Sequence, residues 1–163
     1  MVYFLGLGSN LGRRSANLAR ARRLLEKAGL EIVKASSVYE TEPVDLPGQP
    51  LFLNQVLEVR TALGPPALLR LARSVEAALK RVPAVAKGPR TLDVDILLAG
   101  DTVLETPDLI VPHPRLHLRN FVLVPLAEIA AEARHPVLGK TARELAAASP
   151  DRARVVKLGR RRN

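Results

Sequence analysis

The 163-residue chain has no cysteine and no tryptophan, one methionine and three histidines, and aromatic residues make up only 3% of it. Without cysteine there is no disulfide framework, no thiolate metal site and no cysteine nucleophile. With so few aromatics, a sheet surface that stacks nucleic-acid bases is poorly supplied, and no RNP-like string occurs. No apolar run reaches membrane-spanning length, and Met1-Val2-Tyr3-Phe4-Leu5-Gly6 lacks the charged start and cleavage site of a secretory signal. A cytoplasmic protein without membrane contact is the expectation. Acids are scarce beside bases: 16 Asp and Glu against 25 Lys and Arg leave a net charge of +9. That balance suits an anionic ligand, although residues 13–23 also read as a solvated helix face and Arg160-Arg161-Arg162 as a frayed tail.

What the chain has is 47% hydrophobic residues over a length that supports one core and not two. A single domain is expected over residues 1–158, followed by a basic tail, 159–163. Residues 2–7 read as a buried strand closed by Gly8-Ser9-Asn10. A helix over 15–28 follows, with Leu18, Ala21, Leu25 and Ala28 on one face and Gly29 as its stop. Strands are expected over 31–40 and 51–61, separated by a stretch rich in proline and glycine. A second helix begins at Gly64-Pro65-Pro66 and carries Leu68, Leu71, Val75 and Leu79 on its apolar stripe. A strand through Asp93 and Asp95 completes βαββαβ, the α+β pattern of a ferredoxin-like antiparallel sheet with helices on one face. A C-terminal extension adds an extended piece ending at Val111-Pro112-His113-Pro114 and helices near 121–131 and 141–148.

The most informative run is Gly88-Pro89-Arg90-Thr91-Leu92-Asp93-Val94-Asp95-Ile96. Strand side chains alternate, so Asp93 and Asp95 share one face while Leu92, Val94 and Ile96 take the buried one. Two adjacent carboxylates repel each other unless a cation lies between them. An oxygen-only pair beside a Gly-Pro-Arg turn points to Mg²⁺ and a phosphate ester rather than to zinc. Arg90 can grip phosphate oxygens in a bidentate way, and Arg81 could add a second positive group. An exposed acidic strand face salt-bridged to Arg90 is the bland alternative. Phe52 and Asn54 share a strand face and either pack into the core or hold a flat heterocycle. His113, flanked by prolines, is rigidly presented for packing or for a hydrogen bond to phosphate.

Three motifs are weaker. Gly6-Leu7-Gly8-Ser9-Asn10-Leu11-Gly12 has the wrong glycine spacing for a dinucleotide fingerprint. It reads as a turn, structural or beside a ligand. Gly139-Lys140-Thr141 lacks the earlier glycine of a P-loop and suits a helix start capped by Thr141. His113 and His117 are separated by Pro114 and do not make a zinc site.

Taken together, these residues resemble the 6-hydroxymethyl-7,8-dihydropterin pyrophosphokinases of folate biosynthesis. The matching blocks are Leu7 to Leu11, Ser37 to Pro43, Phe52 to Asn54, Gly88 to Ile96, Val111 to Leu116 and Arg119 to Leu123. The resemblance implies Mg²⁺-dependent transfer of pyrophosphate from ATP to the pterin hydroxymethyl group, with release of AMP. Asp93 and Asp95 would ligate two Mg²⁺ ions and, with Arg81 and Arg90, carry the catalysis. Phe52 and Phe121 would sandwich the pterin, with Asn54, Thr41, Pro43 and Val44 at its edge. Arg73, Glu76, Arg81, Arg90, Ile96, His113 and Arg119 would surround ATP. A monomer acting on ATP and hydroxymethyldihydropterin is expected. The chain departs from the family at Arg73, Pro83, Lys87, Asp108 and Ile110, all on the ATP side or in the loop before Gly88. The competing readings are another Mg²⁺-dependent nucleotide transferase and, from the charge alone, a nucleic-acid-binding ferredoxin-like module.

Overall fold

The computed structural model describes residues 1–44, 48–79 and 91–159. The chain runs β1 (Val2–Ser9), α1 (Arg14–Lys27), β2 (Glu31–Ala35), β3 (Tyr39–Thr41), β4 (Phe52–Arg60), α2 (Pro65–Ala78) and β5 (Asp93–Leu98). It continues with β6 (Leu104–Glu105), β7 (Ile110–Val111), a 3₁₀ turn at Leu116–Leu118, α3 (Asn120–Ala130), α4 (Ala142–Ala148) and β8 (Val155–Lys157). The main sheet is antiparallel in the order β5-β1-β4-β3-β8, and β2 also pairs with β4. This is the expected ferredoxin-like arrangement, with β8 added at one edge. No helix among the described residues is long and apolar enough to cross a membrane.

Alternation along the strands divides the sheet into two faces. Tyr3, Leu5 and Leu7 of β1, Leu53, Leu57 and Val59 of β4, and Val94 and Ile96 of β5 pack against α1 and α2. From α1 come Leu18, Ala21 and Leu25; from α2 come Leu68, Ala72 and Val75, with Leu79 beyond its end. Gly29, at φ 100°, stops α1 as expected, because a left-handed residue is cheapest without a Cβ. Ala28 is exposed and Leu30 is buried in its place.

The second face is covered by the helices of the expected C-terminal extension. There α3 and α4 cover Phe4, Val56, Leu97 and Leu98 with Val122, Leu123, Leu126 and Leu145. Thr141 opens α4 in a capping box with Glu144, each side chain bonding the other's backbone N–H. Two expected boundaries differ. β1 continues through Gly8 to Ser9, so Gly8 lies in the strand and not in the turn. The expected strand over 31–40 is broken at Ser36, whose N–H donates to Val56 O while its hydroxyl accepts from Val56 N. The helices of the extension leave one end of this second face uncovered.

Candidate functional site

At the uncovered end, four strands bring unlike residues into one row. Asp93 of β5 stands opposite Gly8 of β1, Gly8 opposite Asn54 of β4, and Asn54 opposite Tyr39 of β3. In the next row Asp95 faces Gly6, and Gly6 faces Val56. Cross-strand neighbours on one face lie close enough to act on one ligand. The row forms the floor of a cavity of about 430 Å³. Phe52, Pro43, Val44 and Gln49 wall one side; His113, Arg115, Arg119, Phe121 and Val122 wall the other.

Each polar group is held in place. Asn54, 7% exposed, donates from Nδ2 to Thr41 Oγ1 at 2.7 Å, which orients its amide. Thr41 is itself buried and stands opposite Phe52. Gly8 is required by close approach, since a Cβ there would lie 2.7 Å from Asn54 Oδ1. Asn10 reaches from the β1–α1 turn to Gln49 Oε1 and Pro50 O, fixing the far end of the loop that carries Pro43 and Val44. The guanidinium of Arg119 lies 6.0 Å from the Phe121 ring centroid, a cation–π distance.

His113 is tied to β5 by its backbone N–H, which donates to Leu97 O. Its Nδ1 accepts from the Arg115 backbone N–H at 3.2 Å. Burial, and then the charges of Arg119 and Arg115, push the imidazole pKa below its ordinary value. That direction favours the neutral ring, and with Nδ1 accepting, Nε2 is the nitrogen left to donate.

A second cavity of about 220 Å³ adjoins the first along β5, the edge strand of the sheet. Asp95, His113 and Pro114 line both cavities. Arg73, Ile96, Asp108, Leu109 and Ile110 belong to the second alone. Glu76 is 2% exposed on α2, with Oε2 accepting from Val94 N and Oε1 from Arg73 Nη1, each at 2.9 Å. It thus braces β5 between the two aspartates.

The structure gathers Asp93, Asp95, Phe52, Asn54, Pro43, Val44, Phe121, His113 and Arg119 around one cavity, with Thr41 beneath. Arg73 and Ile96 fall at the neighbouring one. Arg81 and Arg90, with Pro83 and Lys87, lie outside the described residues. Sequence reasoning missed Gly6 and Gly8 as floor residues, because Gly6 reads as one more position of a buried strand and Gly8 as the start of the turn that closes it. Their even spacing within the β1 alternation was the available signal.

Comparison with known proteins places these observations. The family model for 7,8-dihydro-6-hydroxymethylpterin-pyrophosphokinase (HPPK) matches residues 4–131. A 2-amino-4-hydroxy-6-hydroxymethyldihydropteridine pyrophosphokinase of Bacillus subtilis is 46% identical over 132 residues, covering 80% of this chain and 79% of that one. A protein of the same description from Aquifex aeolicus is 43% identical over 141 residues, covering 86% of this chain and 88% of its own. A crystal structure described as HPPK-DHPS in complex with substrates has a TM-score of 0.70 at 16% identity. It matches 90% of this chain and 43% of that chain, and at that identity shows the fold alone. The chain thus spans less than half of that larger protein and most of the two bacterial relatives.

Proposed function

The chain belongs to the 7,8-dihydro-6-hydroxymethylpterin-pyrophosphokinase family, and from that premise we propose how its two adjoining cavities divide the work of a Mg²⁺-dependent transfer from ATP. It is a pyrophosphokinase of folate biosynthesis. The larger cavity takes 6-hydroxymethyl-7,8-dihydropterin, the smaller takes the nucleotide, and the triphosphate lies where they meet. One observation carries this reading: Asp95 and His113 line both cavities, with Asp93 beside them.

Phe52 and Phe121 offer their rings to the two sides of the flat pterin. Asn54, its Nδ2 committed to Thr41, presents Oδ1 as an acceptor for the donors on the pterin edge, and Pro43 and Val44 close that side. Arg73, Glu76 and Ile96 belong to the nucleotide side, with Glu76 acting through β5. Ile96 sits on the edge strand facing the smaller cavity, where an adenine ring can lie along the backbone. His113 donates from Nε2 to a phosphate oxygen, and Arg119 adds positive charge. Arg81 and Arg90 are proposed to complete the phosphate cradle.

The donor set fits magnesium. Mg²⁺ is held by one or two carboxylates and completes its shell with substrate phosphates and water. Asp93 and Asp95 supply such a pair, and among the described residues no group of three or more His, Cys, Asp or Glu forms a closed cage. When bound, two such ions would neutralise the triphosphate and polarise its β-phosphorus. The chain's own residues do the rest. Stacking and edge contacts aim the hydroxymethyl oxygen in line at the β-phosphorus. The new O–P bond forms as the bond from the β-phosphorus to the α-bridging oxygen breaks; the electron pair leaves on AMP and the hydroxyl proton passes to solvent. Positive groups and His113 Nε2–H stabilise charge on the phosphate oxygens. The chain is proposed to act as one domain over residues 1–158, as a monomer.

Purified protein supplied with ATP, Mg²⁺ and hydroxymethyldihydropterin should release one AMP for each pterin diphosphate formed. Release of ADP would refute pyrophosphoryl transfer and leave a different nucleotide transferase.

A further inference from the structure

We propose that Glu128 is a positioning residue that sets the width of the pterin slot by clamping its two walls together. The inference rests on the reading of Phe52 and Phe121 as the pterin's two platforms. Phe121 lies in the first turn of α3, and Glu128 is seven residues further on, two turns along the same helix face. The opposite wall descends from the break between β2 and β3, through Tyr39 and Thr41, into Pro43 and Val44.

Glu128 reaches from the first wall to the second. Its Oε1 accepts from Ser37 N and from the Tyr39 hydroxyl, both at 2.9 Å. Its Oε2 accepts from Ser37 Oγ at 2.7 Å and pairs with Lys157 Nζ of β8 at 3.5 Å. Three hydrogen bonds and one ion pair, from three segments, thus converge on one carboxylate. Tyr39 and Thr41 pair with Asn54 and Phe52 on β4, so the clamp acts on the strand that holds the amide and one ring. Apolar packing holds α3 over the covered end of the sheet, whereas a carboxylate with three hydrogen bonds and an ion pair fixes a distance. Glu128 itself lines neither cavity.

The test compares Glu128→Gln with Leu145→Ala and Phe121→Ala. Gln keeps the volume but turns one acceptor oxygen into a donor facing the hydroxyls and Lys157. Leu145→Ala loosens the same apolar core from α4 without touching the clamp. Affinity for hydroxymethylpterin is read by its fluorescence with a non-hydrolysable ATP analogue present, alongside the KM for ATP and the melting temperature. Glu128→Gln should weaken pterin affinity by roughly 5- to 20-fold, the scale of about one lost hydrogen bond, with the KM for ATP within about twofold. Leu145→Ala should lower the melting temperature and leave both affinities unchanged. Equal losses for both substrates, or a melting shift alone, would overturn the clamp. Should Phe121→Ala leave pterin affinity untouched, the platform reading fails first and this proposal with it. Loss in Phe121→Ala but not in Glu128→Gln would remove the clamp alone.

Discussion

The two faces of the sheet are written by alternate residues of the same strands, yet they obey different rules. Toward α1 and α2, β1, β4 and β5 present Leu, Val, Ile and Tyr almost without interruption. Toward the other side the same strands change character along their length. Phe4, Val56 and Leu97 lie under α3 and α4, whereas Gly8, Asn54, Asp93 and Asp95 face the cavity. A fully covered face tolerates only what packs, because buried polar groups without partners are costly. A half-covered face can carry carboxylates, an amide and bare backbone where the helices stop. Stability is thus concentrated on one side of each strand, and chemistry on one end of the other.

That division can be broken from either side. The largest effect is expected from Asp95→Ala: turnover should fall by about 100- to 1,000-fold or more. The chain should still fold, with a melting temperature near that of the parent, as circular dichroism would show. Loss of folding would place the pair on the structural side of the comparison. On the opposite face, Leu57→Ala removes a fully buried side chain of β4 and should lower unfolding free energy by about 2–5 kcal/mol in urea titration. Turnover per folded molecule should be kept below the melting transition. Gly8→Ala should act like an active-site change in a strand interior. Its Cβ collides with Asn54 Oδ1, so pterin affinity should drop by roughly tenfold while ATP affinity holds.

The smallest expected effect is alkaline. The Tyr39 phenol is pushed up to about 12 from 10.0, first by burial and then by its hydrogen bond to the Glu128 carboxylate. A group with a raised folded pKa contributes its stability in full below pH 10 and loses it as pH climbs toward 12. Tyr39→Phe should flatten the fall in melting temperature over that window. Some slope will remain from Tyr3, whose pKa burial also raises. An unchanged slope would separate Tyr39 from the Glu128 carboxylate.

Much of this was legible in the sequence, because alternation and helix periodicity are local. The βαββαβ order, the shared face of Asp93 and Asp95, and the pairing of Phe52 with Asn54 all follow from spacing along one element. What escaped depends on partners far away in the chain. Glu128 meets Ser37 and Tyr39 across 91 and 89 residues, and nothing near it in sequence marks it. Glu76 is named by the resemblance, but its brace on β5 is not, because the bond to Val94 spans 18 residues. β8 has three residues, too few for a pattern, and forms because the edge of β3 is there to receive it.

The bare backbone at Gly8 has a consequence for inhibition. A compound that rests on that Cα touches a position whose side chain cannot be enlarged without displacing Asn54, the group proposed to read the pterin edge. Escape by substitution at this spot would need a second, compensating change at position 54. Chemical matter anchored on the glycine floor therefore meets a slower route to resistance than matter anchored on the exposed rim at Val44 or Arg115.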